Sequence, residues 1–157
     1  QSVLHREFPD KDIYFTEGST FATTGAVEII DILRNWARSY NAWVLLLDEH
    51  RKPNNGPHHA DATPIELLDD GSLRYNFEYY MYGQFSKFIR RGAERIHTES
   101  ETETLSHIGF KNPDNTIVLV VANPTAKNRT LTVIIESKTF RDVLPGKSVA
   151  TYRWKAE

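Results

Sequence analysis

Hydrophobic residues change their spacing along this chain, and each change marks a different kind of element. Ile13-Tyr14-Phe15 is a short β-prone run that leads into Thr16-Glu17, and Gly18-Ser19 breaks it, so a first strand is expected over 13–16. From 25 to 40, Ile29, Leu33, Trp36 and Tyr40 recur at spacings of four, three and four, one face of an amphipathic helix. Val27, Ile30 and Ala37 widen that face, and Thr23 or Thr24 is the expected N-cap. Ala42-Trp43-Val44-Leu45-Leu46-Leu47 is then continuously apolar and stops at Asp48-Glu49, as expected of a parallel strand buried on both faces. Strand, helix and strand make a right-handed βαβ unit. Two parallel strands alone leave both edges unpaired, so a larger sheet is implied.

After this unit the pattern loosens. Residues 50–64 form a long loop rich in Pro, Asn, Gly and His, and loops of such length are uncommon unless functional. Asp69-Asp70-Gly71-Ser72 reads as a turn between short extended pieces. A helix is expected over 77–89, closing at Arg91-Gly92. Beyond Gly92 the period falls to two, with strands expected at 93–98, 105–111, 116–122, 130–136 and 148–154. Asn112-Pro113-Asp114-Asn115, Asn123-Pro124 and Leu144-Pro145-Gly146 supply the breaks, the rhythm of an antiparallel sandwich. Two modules are therefore expected, 1–91 and 92–157.

Composition narrows the function classes. Nineteen basic and 21 acidic residues leave a net charge of −2, which asks for neither nucleic acid nor an anionic membrane. Zero cysteines exclude disulfides and thiolate metal sites. No stretch reaches the roughly 20 apolar residues of a membrane span, and residues 1–12 lack a signal-peptide pattern. The chain also starts without Met and reaches a strand within a dozen residues, so it is expected to be a piece of something longer. An extracellular or periplasmic location is expected over a cytoplasmic one.

Glu17 reads either as a reacting residue or as a solvated acid at a strand end. A short strand that ends in an acid and hands over to a helix is how an α/β barrel presents a catalytic group, at the C-terminal mouth of its strands. Asp48-Glu49 closes a strand in the same way and reads as the polar lip of a pocket or the support of the following loop. His50, His58, His59 and Asp61 invite a metal site, but adjacent histidines in a Pro-rich loop share no helix face, so no metal or other cofactor is expected. Trp36 is expected in the core by its helical spacing and Trp154 in the sandwich core, whereas Trp43 is the tryptophan available for stacking against a ligand. Tyr75, Phe77, Tyr79, Tyr80, Tyr82, Phe85 and Phe88 are expected to serve helix packing. Asn128-Arg129-Thr130 fits a glycosylation sequon.

These residues carry a resemblance. Phe8-Pro9 through Tyr14-Phe15-Thr16-Glu17-Gly18-Ser19, Trp43 with Leu47-Asp48-Glu49, Pro53-Asn54, and above all Tyr79-Tyr80-Met81-Tyr82-Gly83-Gln84-Phe85-Ser86-Lys87-Phe88-Ile89 resemble the last part of glycoside hydrolase family 30, the group of the glucosylceramidases and bacterial β-glycosidases. The similarity runs on through Gly92-Ala93, Arg95-Ile96 and Pro145-Gly146 to Tyr152 and Trp154. It implies an α/β plus all-β fold: the last two β/α units of a (β/α)8 TIM barrel followed by an antiparallel β-sandwich. It implies retaining hydrolysis of a β-linked saccharide or glycolipid, hence carbohydrate or sphingolipid metabolism. Glu17 falls on the family's nucleophile and Trp43 on an aromatic of the sugar pocket; beside these, Asp48 at the polar lip and His58 or His59 in the following loop are candidate substrate contacts. Many members have an Asn after that Trp, where Val44 stands here. No position corresponds to the acid/base glutamate of the fourth barrel strand. Strands one to six are also absent, so this chain is expected to be inactive alone and to need the missing barrel portion or a second chain. The competing readings are a non-catalytic carbohydrate-binding or scaffold module, and an interaction protein whose open strands pair with another chain.

Overall fold

The computed structural model describes residues 1–54, 62–135 and 137–156. It divides into two compact units, Gln1–Gly83 and Gln84–Glu157.

The first unit begins with helix α1 (Ser2–Glu7), which the sequence pattern does not announce, and then the parallel pair β1 (Ile13–Gly18) and β2 (Ala37–Ala42) joined by helix α2 (Ala22–Arg34). The βαβ unit is present, but its second half lies earlier in the chain than expected. Helix α2 stops at Arg34 because Asn35 turns back on it: both its backbone N–H and its side-chain Nδ2 donate to the Asp31 carbonyl, at 3.0 and 2.8 Å. Trp36 then takes a positive φ of 76° and leaves the helix, stacked on His5 with ring centroids 3.7 Å apart and 44% exposed. It is not a core residue. Ile29, Ile30 and Ala26 do form the buried face of α2, each isoleucine contributing about 1.5–3 kcal/mol by leaving water.

The early helix stop frees 37–42 for β2. Its register with β1 sets Ile13 opposite Ala37, Phe15 opposite Tyr40 and Gly18 opposite Ala42. Tyr40 is thus a strand residue, stacked on Phe15 at 5.2 Å. The apolar run 42–47 is not one strand. It divides after Ala42, and β3 (Leu46–Asp48) pairs instead with β4 (Ile65–Leu67), which pairs with β5 (Leu73–Tyr75). The turn at 69–72 links β4 to β5, with Ser72 N–H bonded to Asp70 Oδ1 and Gly71 at φ 82°. Glu66 is buried in this sheet between two arginines, with Arg51 Nη1 at 2.7 Å and Arg74 Nη1 at 2.9 Å.

Helix α3 (Phe77–Ser86) starts in the first unit and ends in the second. The second unit is a β-sandwich. Strands β6 (Glu94–Ile96), β7 (Ser106–Lys111), β8 (Thr116–Asn123) and β11 (Ser148–Lys155) form one antiparallel sheet in the order β11-β8-β7-β6. The facing layer is a hairpin of β9 (Arg129–Ile135) and β10 (Lys138–Leu144). Leu119, Val121 and Leu144 fill the space between the layers, with Leu131, Val133, Ala150, Tyr152 and Trp154 packed against them. Trp154 is in the sandwich core as expected. β10 escapes the sequence pattern because Arg141-Asp142 interrupts its alternation. Asp142 accepts a 2.7 Å hydrogen bond from the Tyr152 hydroxyl.

Candidate functional site

Glu17 is the penultimate residue of β1, and β2 runs parallel beside it. Parallel neighbours deliver their C-terminal ends to the same side, so residues that leave the two strands emerge together. Trp43, the first residue after β2, is fastened there. Its backbone N–H donates to the Gly18 carbonyl at 2.9 Å, and its own carbonyl accepts from Ser19 Oγ at 2.9 Å. The Trp43–Val44 peptide is cis, and the indole residue is 39% exposed. The structure therefore brings the backbones of Glu17 and Trp43 to one strand end. The Glu17 side chain is exposed and has no hydrogen-bond or ion-pair partner among the described residues.

The turn after Glu17 is tightly packed. A Cβ on Gly18 would lie 2.6 Å from the Phe15 ring and 2.9 Å from the Tyr40 hydroxyl. Thr20 is buried, and its Oγ1 accepts from the Tyr40 hydroxyl at 3.1 Å and is hydrogen-bonded to the Tyr82 hydroxyl at 3.0 Å, with either oxygen able to donate. Burial pushes Tyr40 up to about 12; the hydrogen bond with Thr20 works against that rise, and Tyr82 and Glu28 add to it. Neither Thr23 nor Thr24 caps α2. The N-cap is Phe21, without a side-chain hydrogen bond, and the Ala22 N–H is met by buried Glu78 Oε1 from α3 at 2.9 Å. A carboxylate at that end also suits the helix dipole.

Asp48 ends β3 and organises the loop that follows. Its Oδ1 accepts from the backbone N–H of His50 at 2.9 Å and of Lys52 at 2.7 Å. Beyond it, Glu49, His50 and Asp69 place three ligand-type atoms within 4.8 Å of one another, all exposed, and His50 Nε2 is 3.2 Å from Asp69 Oδ1. These three could meet a cation, although exposed acidic groups gather commonly without one. His58, His59 and Asp61 lie outside the described residues. Of the aromatic cluster, Phe85 is buried with Met81, whereas Tyr75, Phe77, Tyr79 and Tyr80 are exposed and the rings of Tyr75, Tyr79 and Tyr80 touch in series. Asn128 of the sequon is exposed, its Oδ1 accepting from the Gly146 N–H at 3.1 Å.

Sequence reasoning missed Thr20, Glu78 and the Arg51–Glu66–Arg74 group. For Glu78 a signal existed: it stands four residues before Tyr82, so both share one face of α3. Glu66 gave none, because its partners come from a loop and a different strand.

Comparison with known proteins adds to this geometry. Residues 92–152 match the glycosyl hydrolase family 30 beta sandwich domain. An endo-1,6-beta-D-glucanase of Trichoderma harzianum is 30% identical over 134 residues, covering 76% of this chain and 26% of the relative. The lysosomal acid glucosylceramidase of Mus musculus is 29% identical over 131 residues, covering 82% and 25%. The solved structure of SrfJ from Salmonella typhimurium superposes with a TM-score of 0.88 at 26% identity, covering 99% of this chain and 38% of that one. An endo-beta1,6-glucanase gives 0.87 at 26% identity with the same coverage. The chain thus spans about a quarter of these curated relatives. Among the described residues, no helix is long and apolar enough to cross a membrane.

Proposed function

Starting from a chain that resembles the family 30 glycoside hydrolases over nearly its whole length, we propose that it is the part of a retaining β-glycosidase that carries the nucleophile Glu17. The observation that carries this reading is the pairing of Glu17 and Trp43 at one end of two parallel strands, with Trp43 bonded to the residue after Glu17. In the complete enzyme these strands are staves of a (β/α)8 barrel, and the rest of the barrel is the partner of this segment. The sugar is a β-linked glucoside, in a glucan or a glucosylceramide-like lipid, in keeping with the two kinds of relative. An extracellular or periplasmic compartment fits such substrates.

Retaining hydrolysis uses two carboxyl groups about 5–5.5 Å apart. One attacks the anomeric carbon, and the other protonates the departing oxygen and then activates water. Glu17, solvent-accessible and without an ion-pair partner among the described residues, suits the attacking role. Trp43 offers an apolar face to the sugar ring, Asp48 holds the neighbouring loop and offers a polar contact, and His58 is a further sugar contact. The proton donor belongs to the missing barrel portion, so the 157-residue chain is idle by itself. The test is a 2-fluoroglycoside with a good leaving group, applied to the full-length protein. Covalent label on Glu17 is the expected result, and label on any other residue overturns the assignment. Steady turnover of aryl β-glucosides by the isolated chain would overturn its idleness.

A further inference from the structure

Among the described residues, what fixes the position of Glu17 is the backbone on either side of it. On the strand side that backbone is paired with β2. On the other side is the three-residue turn 19–21, which makes a sharp entry into α2 with Ala22 at a φ of 53°, a conformation that non-glycine residues rarely adopt. Such a turn holds only if its surroundings over-determine it.

Helix α3 supplies that restraint. Glu78 and Tyr82 are one turn apart on a single face and reach the two ends of the segment that links Thr20 to Ala22. Glu78 Oε1 takes the Ala22 N–H at 2.9 Å, satisfying a helix N-terminal donor that Phe21 cannot. The Tyr82 hydroxyl meets Thr20 Oγ1 at 3.0 Å and lies 3.4 Å from the Thr20 carbonyl. Tyr40 closes the group by donating to the same Oγ1 at 3.1 Å. Thr20 and Glu78 are 2% and 7% exposed, so neither bond has water as a ready substitute.

We propose that Glu78 and Tyr82 are positioning residues for Glu17: α3 clamps the turn that follows the nucleophile and thereby fixes the end of β1. This rests on the reading of Glu17 as nucleophile. Reacting atoms must sit within a fraction of an ångström of their working geometry, and a misplacement of 1 Å costs about 100-fold in rate. Neither residue touches the sugar in this scheme. Their effect is on the chemical step and not on affinity.

Two measurements test it. In the full-length protein, amide hydrogen exchange at Ala22 should rise at least about tenfold in Glu78→Ala, the loss expected of a hydrogen bond worth roughly 1.4 kcal/mol, and stay near the parent rate in Glu78→Gln, which keeps an acceptor. In the full-length enzyme, Glu78→Ala and Tyr82→Phe should lower kcat by about 10–100-fold with KM unchanged, and Glu78→Gln should restore kcat. Unaltered Ala22 exchange in Glu78→Ala overturns the clamp. A loosened Ala22 with unchanged kcat, or a rise in KM alone, overturns the positioning role. If Glu78→Ala does not fold, Tyr82→Phe, which removes one hydroxyl and keeps the ring, decides by the same kinetic split. Failure of the fluoroglycoside to label Glu17 would sink the functional reading alone, because Ala22 exchange reports the clamp independently.

Discussion

Trp43 is held to Gly18 by its own backbone: the N–H bonds to the carbonyl of the residue that follows Glu17, one step beyond the last paired position of β2. The indole is therefore placed by main-chain geometry, while its ring remains partly exposed. Removing the ring should disturb little of the fold. Trp43→Ala is expected to leave the thermal midpoint of the 157-residue chain within a few degrees, and in the full-length enzyme to raise KM or lower kcat about tenfold or more, the scale of a lost aromatic contact. Melting curves and steady-state kinetics check the two halves. Unchanged kinetics would return Trp43 to a structural role.

In the sandwich, a single side chain ties two turns together. Asn123 is fully buried, and the two hydrogens of its Nδ2 serve three carbonyls, those of Lys127 at 2.9 Å, Leu144 at 3.2 Å and Pro145 at 2.9 Å, one N–H being shared. Its Oδ1 accepts from the Thr125 hydroxyl at 2.8 Å. Asn123→Ala strands these groups away from water and should cost about 2–4 kcal/mol. Asn123→Asp should cost as much, because a carboxylate cannot donate to three carbonyls. Urea unfolding of the chain followed by tyrosine and tryptophan fluorescence measures both.

Alkali should unfold the chain through two tyrosines. Burial raises Tyr40 from 10.0 to about 12, and burial together with the hydrogen bond to Asp142 raises Tyr152 further. Both groups hold their protons longer when folded than when unfolded. Their contribution is complete below pH 10, falls as the unfolded chain ionises, and is lost as pH rises through the folded values. Stability measured between pH 9 and pH 12 should therefore decline, and Tyr40→Phe should flatten the part of that decline between 10 and 12. A Tyr40→Phe curve parallel to the parent would remove Tyr40 from the account.

Much of the sandwich is legible in the sequence, because strands with one buried face write their period directly: β7, β8, β9 and β11 fall within a residue of where alternation puts them. The βαβ unit is legible in kind and not in register. Periodicity counted Trp36 and Tyr40 into the helix because their spacing fits, whereas Asn35 ends it with local hydrogen bonds that no hydrophobic count records. The continuous run 42–47 predicts one buried strand, yet Leu45 and Leu46 are exposed and the run serves two sheets. Glu17 and Trp43 are candidates that the sequence names through the resemblance their motifs carry. Glu78 and Tyr82 could not be tied to them, since that link is a contact 56 to 62 residues apart in the chain.

That same contact decides the sign of a glycine substitution. Gly25 lies inside α2, where replacing glycine by alanine ordinarily stabilises a helix by about 1 kcal/mol. Here a Cβ would stand 2.8 Å from both the carbonyl carbon and the Cβ of Thr20, atoms of the turn that Tyr40, Tyr82 and Glu78 hold in place. The turn cannot retreat without giving up those bonds, and overpacking of this kind costs about 1–3 kcal/mol. The steric term wins. Gly25→Ala should lower stability, and in the full-length enzyme it should lower kcat by the same route as Tyr82→Phe. Gly83, by contrast, has open space where its Cβ would go, so Gly83→Ala in α3 should be neutral or stabilising and serves as the matched control. Equal behaviour of the two variants in urea unfolding would mean that Thr20 yields freely, and the turn after Glu17 would then be softer than its contacts imply.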